Sequence, residues 1–190
     1  PEGIQRLVVD APAGAMGEDL VAFLDIADAV IVPVLPSAID LEATVPFLNS
    51  LVTHPRVKKG KLPVGIVGNR LKPWTGASQQ AIAQLKAWPY PLVAELRDTQ
   101  AYVLMVALGK SVFDYHSEQL RSHQDDWAPL LKWLRKWLLH KLLLSGPARE
   151  HASAFRIILG MLFSLLPLAL IIAAGLFILA YQPKTARAQT

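Results

Sequence analysis

Two hydrophobic periods alternate along the first 110 residues. Short runs of almost wholly apolar residues occur at Arg6–Asp10, Ala29–Leu35, Pro63–Gly68 and Pro91–Leu96. Runs of this length, rich in Val and Ile, are what strands covered on both faces require. Between them apolar residues return every three or four positions, the spacing of one helix face. Leu20, Phe23, Leu24 and Ala27 mark a helix over Glu18–Ala27; Leu41, Thr44, Val45, Leu48 and Leu51 mark another over Asp40–Leu51. Ser78–Trp88 and Thr99–Leu108 complete the series, the last stopping at Gly109, a residue suited to a helix C-cap. The order βαβαβαβα predicts an α/β fold, a parallel sheet flanked by helices. Pro33 has no amide to give a ladder, so the second strand is expected to end or bulge there.

The C-terminal third has a different pattern. Over Asp126–Leu144 one face carries Trp127, Leu130, Leu131, Leu134, Trp137 and Leu138; Lys132, Arg135, Lys136 and His140 are polar. Two uses fit such a helix: packing on the sheet, or lying on a membrane surface with its Trp and Leu inward. Ser145-Gly146-Pro147 breaks it. Ile157–Tyr181 then contains no charged residue and, as a helix, would be about 37 Å long, enough to cross a ~30 Å hydrocarbon core. A C-terminal transmembrane helix is therefore expected, kinked at Pro167. The division that follows is a nucleotide-binding-type domain over 1–144, a linker over 145–156, the span over 157–181 and a polar tail over 182–190.

Composition sharpens this only in places. Of the 190 residues none is Cys, which excludes disulfides, thiolate metal sites and cysteine nucleophiles. The formal net charge of +4 is compatible with DNA or anionic lipid. A chain that starts at Pro1 and enters a strand almost at once reads as a fragment.

The chemistry concentrates at strand ends. Leu7-Val-Val-Asp-Ala-Pro12 delivers one carboxylate, Asp10, to the tip of a buried strand, and Ala11-Pro12-Ala13-Gly14 follows without bulk. That arrangement serves a Mg²⁺-directed acid beside a loop whose amides can approach phosphate; it also describes a strand that ends in a turn. Asn69, after the third strand, suits either a helix cap or an adenine edge, which needs one donor and one acceptor. Ser37 and Asp40 suit helix capping. Arg70, Lys72 and Arg97 lie near the same edge, as phosphate contacts or as solvated charges. The five histidines, at 54, 116, 123, 140 and 151, show neither ligand spacing nor a paired carboxylate. Gly109-Lys110-Ser111 is no phosphate loop: position 104 is Leu where that pattern has Gly, and a helix precedes it instead of a strand.

Residues 7–14, 27–44 (Ala-Asp-Ala-Val-Ile-Val-Pro-Val-Leu-Pro-Ser-Ala-Ile-Asp-Leu-Glu-Ala-Thr) and 64–70 (Val-Gly-Ile-Val-Gly-Asn-Arg) resemble the ParA/MinD-like partition ATPases. Arg97-Asp98, Ala101-Tyr102 and Gly109–Phe113 resemble that family's C-terminal region, and the likeness runs from about residue 5 to 140. The resemblance implies a P-loop NTPase-like fold truncated at its N-terminus, without the Walker A segment. It implies Asp10 as the Walker B-type acid holding Mg²⁺ through a water, and Ala11–Gly14, with Pro12 and Gly14, as a γ-phosphate switch. Asn69 and Arg70 would lie at the nucleotide, and Arg70, Lys72 and Arg97 would face non-specific DNA. ATP and Mg²⁺ are the implied cofactors. The implied partners are a second copy in an ATP-dependent dimer, a ParB-like or MinE-like activator, DNA, and a membrane through the C-terminal segment.

The function so implied is partitioning of plasmids or chromosomes, or positioning of another cargo. A chain without a phosphate loop is expected to be inactive alone. The alternatives are a catalytically inactive membrane-anchored adaptor and a regulator of exopolysaccharide secretion. The expected location is the cytoplasmic face of the inner membrane with the N-terminal domain in the cytosol, or the cytoplasm if the apolar tail comes from a fusion or frame error.

Overall fold

In the computed structural model of the chain, residues 6–12, 17–145 and 155–160 are described. Five parallel strands form one sheet in the spatial order β1-β5-β2-β3-β4. They are β1 (Arg6–Ala11), β2 (Ala29–Val34), β3 (Val64–Leu71), β4 (Leu92–Arg97) and β5 (Phe155–Gly160). The helices are α1 (Gly17–Ile26), α2 (Ala38–Thr53), α3 (Pro55–Lys58), α4 (Gly76–Ala87), α5 (Gln100–Ala107) and α6 (Glu118–Ser145), with a 3₁₀ turn at Val112–Asp114.

Alternation along the strands builds two cores. Val30, Val32, Val34, Val64 and Ile66 pack with Leu20 and Leu24 of α1, Leu41, Phe47, Leu48 and Leu51 of α2, and Leu85 of α4. Ala29, Ile31, Val67, Val93 and Leu96 pack with Tyr102 and Met105 of α5 and with Trp127, Leu130 and Leu134 of α6. All six residues of β2 are buried, as a central parallel strand requires. On α2, Val45 is exposed and Phe47 takes a place in the core. Ser37 caps α2 and Thr75 caps α4, each hydroxyl accepting a backbone N–H three residues on.

Two expectations about strands are corrected. β2 does not end at Pro33 but continues to Val34, with Pro33 in register with Val67 of β3. The Val30 N–H donates to the Pro63 carbonyl, on the β3 side, so the odd residues of β2 turn their amides toward β5. Pairing with β5 stops at Ile31, and the proline follows where no ladder amide is called for. The second correction concerns the apolar C-terminal segment. Residues 157–160, the start of the expected transmembrane helix, are part of β5, and among the described residues no helix is long and apolar enough to cross a membrane. Residues 161–181 lie outside the described residues.

The amphipathic segment 126–144 belongs to the longer α6, whose first half packs on the sheet. Trp127 is 1% exposed; its indole N–H donates to the Tyr102 hydroxyl at 3.0 Å, and its ring meets those of Tyr102 and Phe113 edge to face. Gly65 lets this layer close: a Cβ there would stand 3.0 Å from both Val93 methyls and 3.1 Å from the Trp133 ring. α6 begins at Glu118, earlier than its apolar stripe, because polar bonds hold its first turns. Gln124 Nε2 donates to the carbonyls of Val112 and Tyr115, at 2.7 and 2.8 Å.

Removing the Trp127 ring leaves a large cavity and an unpaired Tyr102 hydroxyl. Trp127→Ala should lower the unfolding free energy by about 3–5 kcal/mol, read as a lower urea midpoint. Tyr102→Phe should cost about 1–3 kcal/mol, the penalty of a stranded indole N–H.

Candidate functional site

The C-terminal ends of all strands in a parallel sheet open on one edge, where ligands of α/β folds sit. Asp10 is exposed near the tip of β1, beside Leu159 in the register with β5. The partial burial of its carboxyl pushes its pKa above the ordinary value. Pro12 is exposed just beyond the strand; Ala13 and Gly14, the rest of the expected phosphate switch, lie outside the described residues. Among the described residues no group of three or more acids and histidines could hold a metal ion by protein ligands alone. A lone Asp10 fits Mg²⁺ only in the mode in which water and phosphate oxygens supply the other ligands.

Asn69 is 2% exposed and lies within β3, not at a helix N-terminus; the cap of α4 is Thr75. Three strand spacings separate β1 from β3, about 14 Å. Asp10 and Asn69 are thus too far apart to share one atom, and a ligand touching both has the length of a nucleoside triphosphate, with phosphate at one end and base at the other.

The edge next to Asn69 is irregular. β3 carries an extra residue against β4 between Gly68 and Leu71, and Arg70 there has φ of 53°, the left-handed region that costs a side-chain-bearing residue about 1–2 kcal/mol. Such strain persists only where neighbours hold it, here the flanking strand residues and Asp98. Arg70 Nε and Lys72 Nζ lie 3.3 and 3.5 Å from the two carboxylate oxygens of Asp98, whose N–H donates to the Leu71 carbonyl at 2.8 Å. Two of the expected DNA-facing cations therefore share one acid. The third, Arg97, turns toward α6: its Nε donates to Asp126 at 2.7 Å and its Nη2 to the Ser122 carbonyl. The bond to Asp126 raises the Arg97 pKa further and fixes it as a tie between β4 and α6.

Gly109-Lys110-Ser111 has a local structural task. Gly109 (φ 63°) and Lys110 donate to the carbonyls of Val106 and Met105, closing α5 with a Schellman turn. Ser111 and Asp114 form a capping box on the 3₁₀ turn. Ser37 Oγ donates to Asp40 Oδ2, while Oδ1 of this buried acid has no hydrogen-bond partner among the described residues.

Sequence spacing missed two features. His54 does have a carboxylate partner, Asp25, 29 residues away, with Nε2 3.1 Å from Oδ1. Beside it Arg56 donates to the carbonyls of Leu24 and Asp25 at the end of α1. The other feature is apolar exposure around the strand-end edge: Ile39 is 76% exposed at the start of α2, and Trp74 72% in the loop after β3. Val103, Leu104 and Leu108 are exposed along and just after α5, a helix without a charged residue. That absence of charge was the available signal, since a helix apolar all round has a second face to cover.

No protein-family model matches this chain, and no curated protein or solved structure matches it either. The likeness to partition ATPases rests on the residues quoted above.

The Asp10 shift has a checkable sign. A carboxyl whose pKa is higher folded than unfolded holds its proton more tightly in the folded state. Its penalty on stability is present at neutral pH and disappears as pH falls through the folded value to below the unfolded one. Asp10→Asn should therefore be the more stable protein at pH 7, with the difference in urea midpoint closing as pH approaches about 4.

Proposed function

We propose that this chain is part of a nucleotide-binding domain of the ParA/MinD type, which positions a cargo through ATP-dependent association of two copies. One observation carries the proposal: Asp10 and Asn69 stand at the same edge of one parallel sheet, three strand spacings or about 14 Å apart, the length of a nucleoside triphosphate. In this proposal Asp10 serves the magnesium, through water, while Asn69 and the strained backbone at Arg70 face the adenine. Pro12 borders the phosphate end. The exposed Ile39, Trp74 and Leu104 support a second copy as partner, because apolar surface around a ligand-binding edge favours burial against another protein. A ParB-like or MinE-like protein would be the activator.

The chain contains no Walker A pattern, and its single Gly-Lys-Ser is spent on a helix cap and a turn. That observation favours a second reading, an adaptor that keeps the nucleotide edge without turnover.

Titration with Mg²⁺ and ATP, followed by NMR, should shift the amides of Asp10 and Ala11 together with those of Asn69–Leu71. Asn69→Ala should reduce the preference for ATP over GTP by about tenfold, the worth of one lost base contact. Shifts at neither end would sink the proposal. Mg²⁺-dependent hydrolysis at ordinary enzymatic rates would exclude the adaptor.

DNA as the working surface has a separate check, because phosphates must compete with Asp98 for Arg70 and Lys72. Asp98→Asn should tighten non-specific DNA binding and steepen its salt dependence. It should change folding stability by less than about 1 kcal/mol, as expected for exposed ion pairs.

A further inference from the structure

His123 sits in the middle of the bonds that fasten the first turns of α6. The Ser122 carbonyl before it accepts from Arg97 Nη2, and the Gln124 amide after it donates to the carbonyls of Val112 and Tyr115. Asp126, one turn further on, accepts from Arg97 Nε at 2.7 Å. The imidazole itself lies against the Tyr102 ring of α5, with centroids 6.0 Å apart. Its Nδ1 is buried and has no hydrogen-bond partner among the described residues. A neutral ring can leave one nitrogen unpaired at modest cost. A protonated ring carries an N–H on both nitrogens, and each then needs an acceptor or water. At this place Nδ1 is sealed from solvent and faces no acceptor. The charged groups that act on the ring are Arg97 from β4 and Asp126 from its own helix, and its titratable neighbour on α5 is Tyr102. Asp126 is already engaged by Arg97, and Asp114 of the 3₁₀ turn by Ser111.

We propose that His123 is a pH-sensitive latch: protonation expels its ring from the junction of α5 and β4, and the first turns of α6 let go of Arg97 at the strand-end edge. The sign of the coupling follows from the site. Burial pushes the His123 pKa below its ordinary value, Arg97 pushes it the same way, and Asp126 opposes them. The undocked ring therefore binds a proton more readily than the docked one. Docking weakens as pH falls through about 6.5, and weakens no further once pH is below the docked value. Trp127, Leu130 and Leu134 hold the rest of the helix by apolar burial, which does not titrate, so the opening is confined to the turns before them.

Hydrogen exchange of the full-length chain at pH 7.5 and pH 5.5, corrected for intrinsic rates, tests the latch. Amides of Arg121–Asp126 should lose protection by at least about threefold on acidification, while Ile66 and Val67 in the sheet keep theirs. His123→Phe keeps a ring against Tyr102 without a proton site and should abolish the loss. In the unaltered chain, NMR titration of the His123 ring protons should give a midpoint below about 6.5. An equal loss in wild type and His123→Phe overturns the proposal, as does no loss in the wild type. A midpoint at or above the ordinary value overturns it too, and that reading stands even if the Phe ring is not accommodated. None of these measurements uses nucleotide, so they stand apart from the fate of the ATP proposal.

Discussion

A buried parallel sheet tolerates no inner edge with unpaired amides, and this constraint organises the chain. The four strands from the first hundred residues do not form a continuous ladder by themselves. β2, β3 and β4 are contiguous, and β1 is held one strand away. The two cores depend on closing that space. Val8 packs against the α6-side core and Val9 against the α1/α2-side core, so β1 contributes to both layers while bonding to neither β2 nor β3.

The elements of the N-terminal part were legible because each carries a pattern with a physical cause. Val and Ile runs, capping Ser37 and the Gly109 stop all mark boundaries that the fold uses. Pro33 was misleading because its cost depends on which neighbour its nitrogen faces, and that is a tertiary fact. Residues 157–160 were misread for a related reason. Absence of charge suits a membrane helix and a strand sealed inside a sheet equally well, and length alone decided for the helix. The first turns of α6 escaped notice because Gln124 and Asp126 hold them through polar bonds to distant residues, which leave no periodic trace.

The candidate edge was legible at two positions, Asp10 and Asn69, and opaque between them. Asp10 near the tip of β1 and Asn69 near the end of β3 come to one edge of the sheet by topology alone. The bulge at Arg70, its left-handed backbone and the sharing of Asp98 between two cations arise from register with β4, which no local motif encodes. Arg97 shows the same limit from the other direction. Its charge and position suggested a surface contact, while its geometry makes it an internal tie. His54 and Asp25 meet only because the ends of α1 and α2 converge below the sheet.

That tie from Arg97 to Ser122 and Asp126 gives α6 a mechanical character. The anchor is near one end of a 28-residue helix, which as a straight rod is about 42 Å long. Among the described side chains, the fully buried contacts of α6 run from Trp127 to Leu134, directly after that anchor. One guanidinium thereby couples the strand-end edge to the first turns of the helix that seals the opposite core.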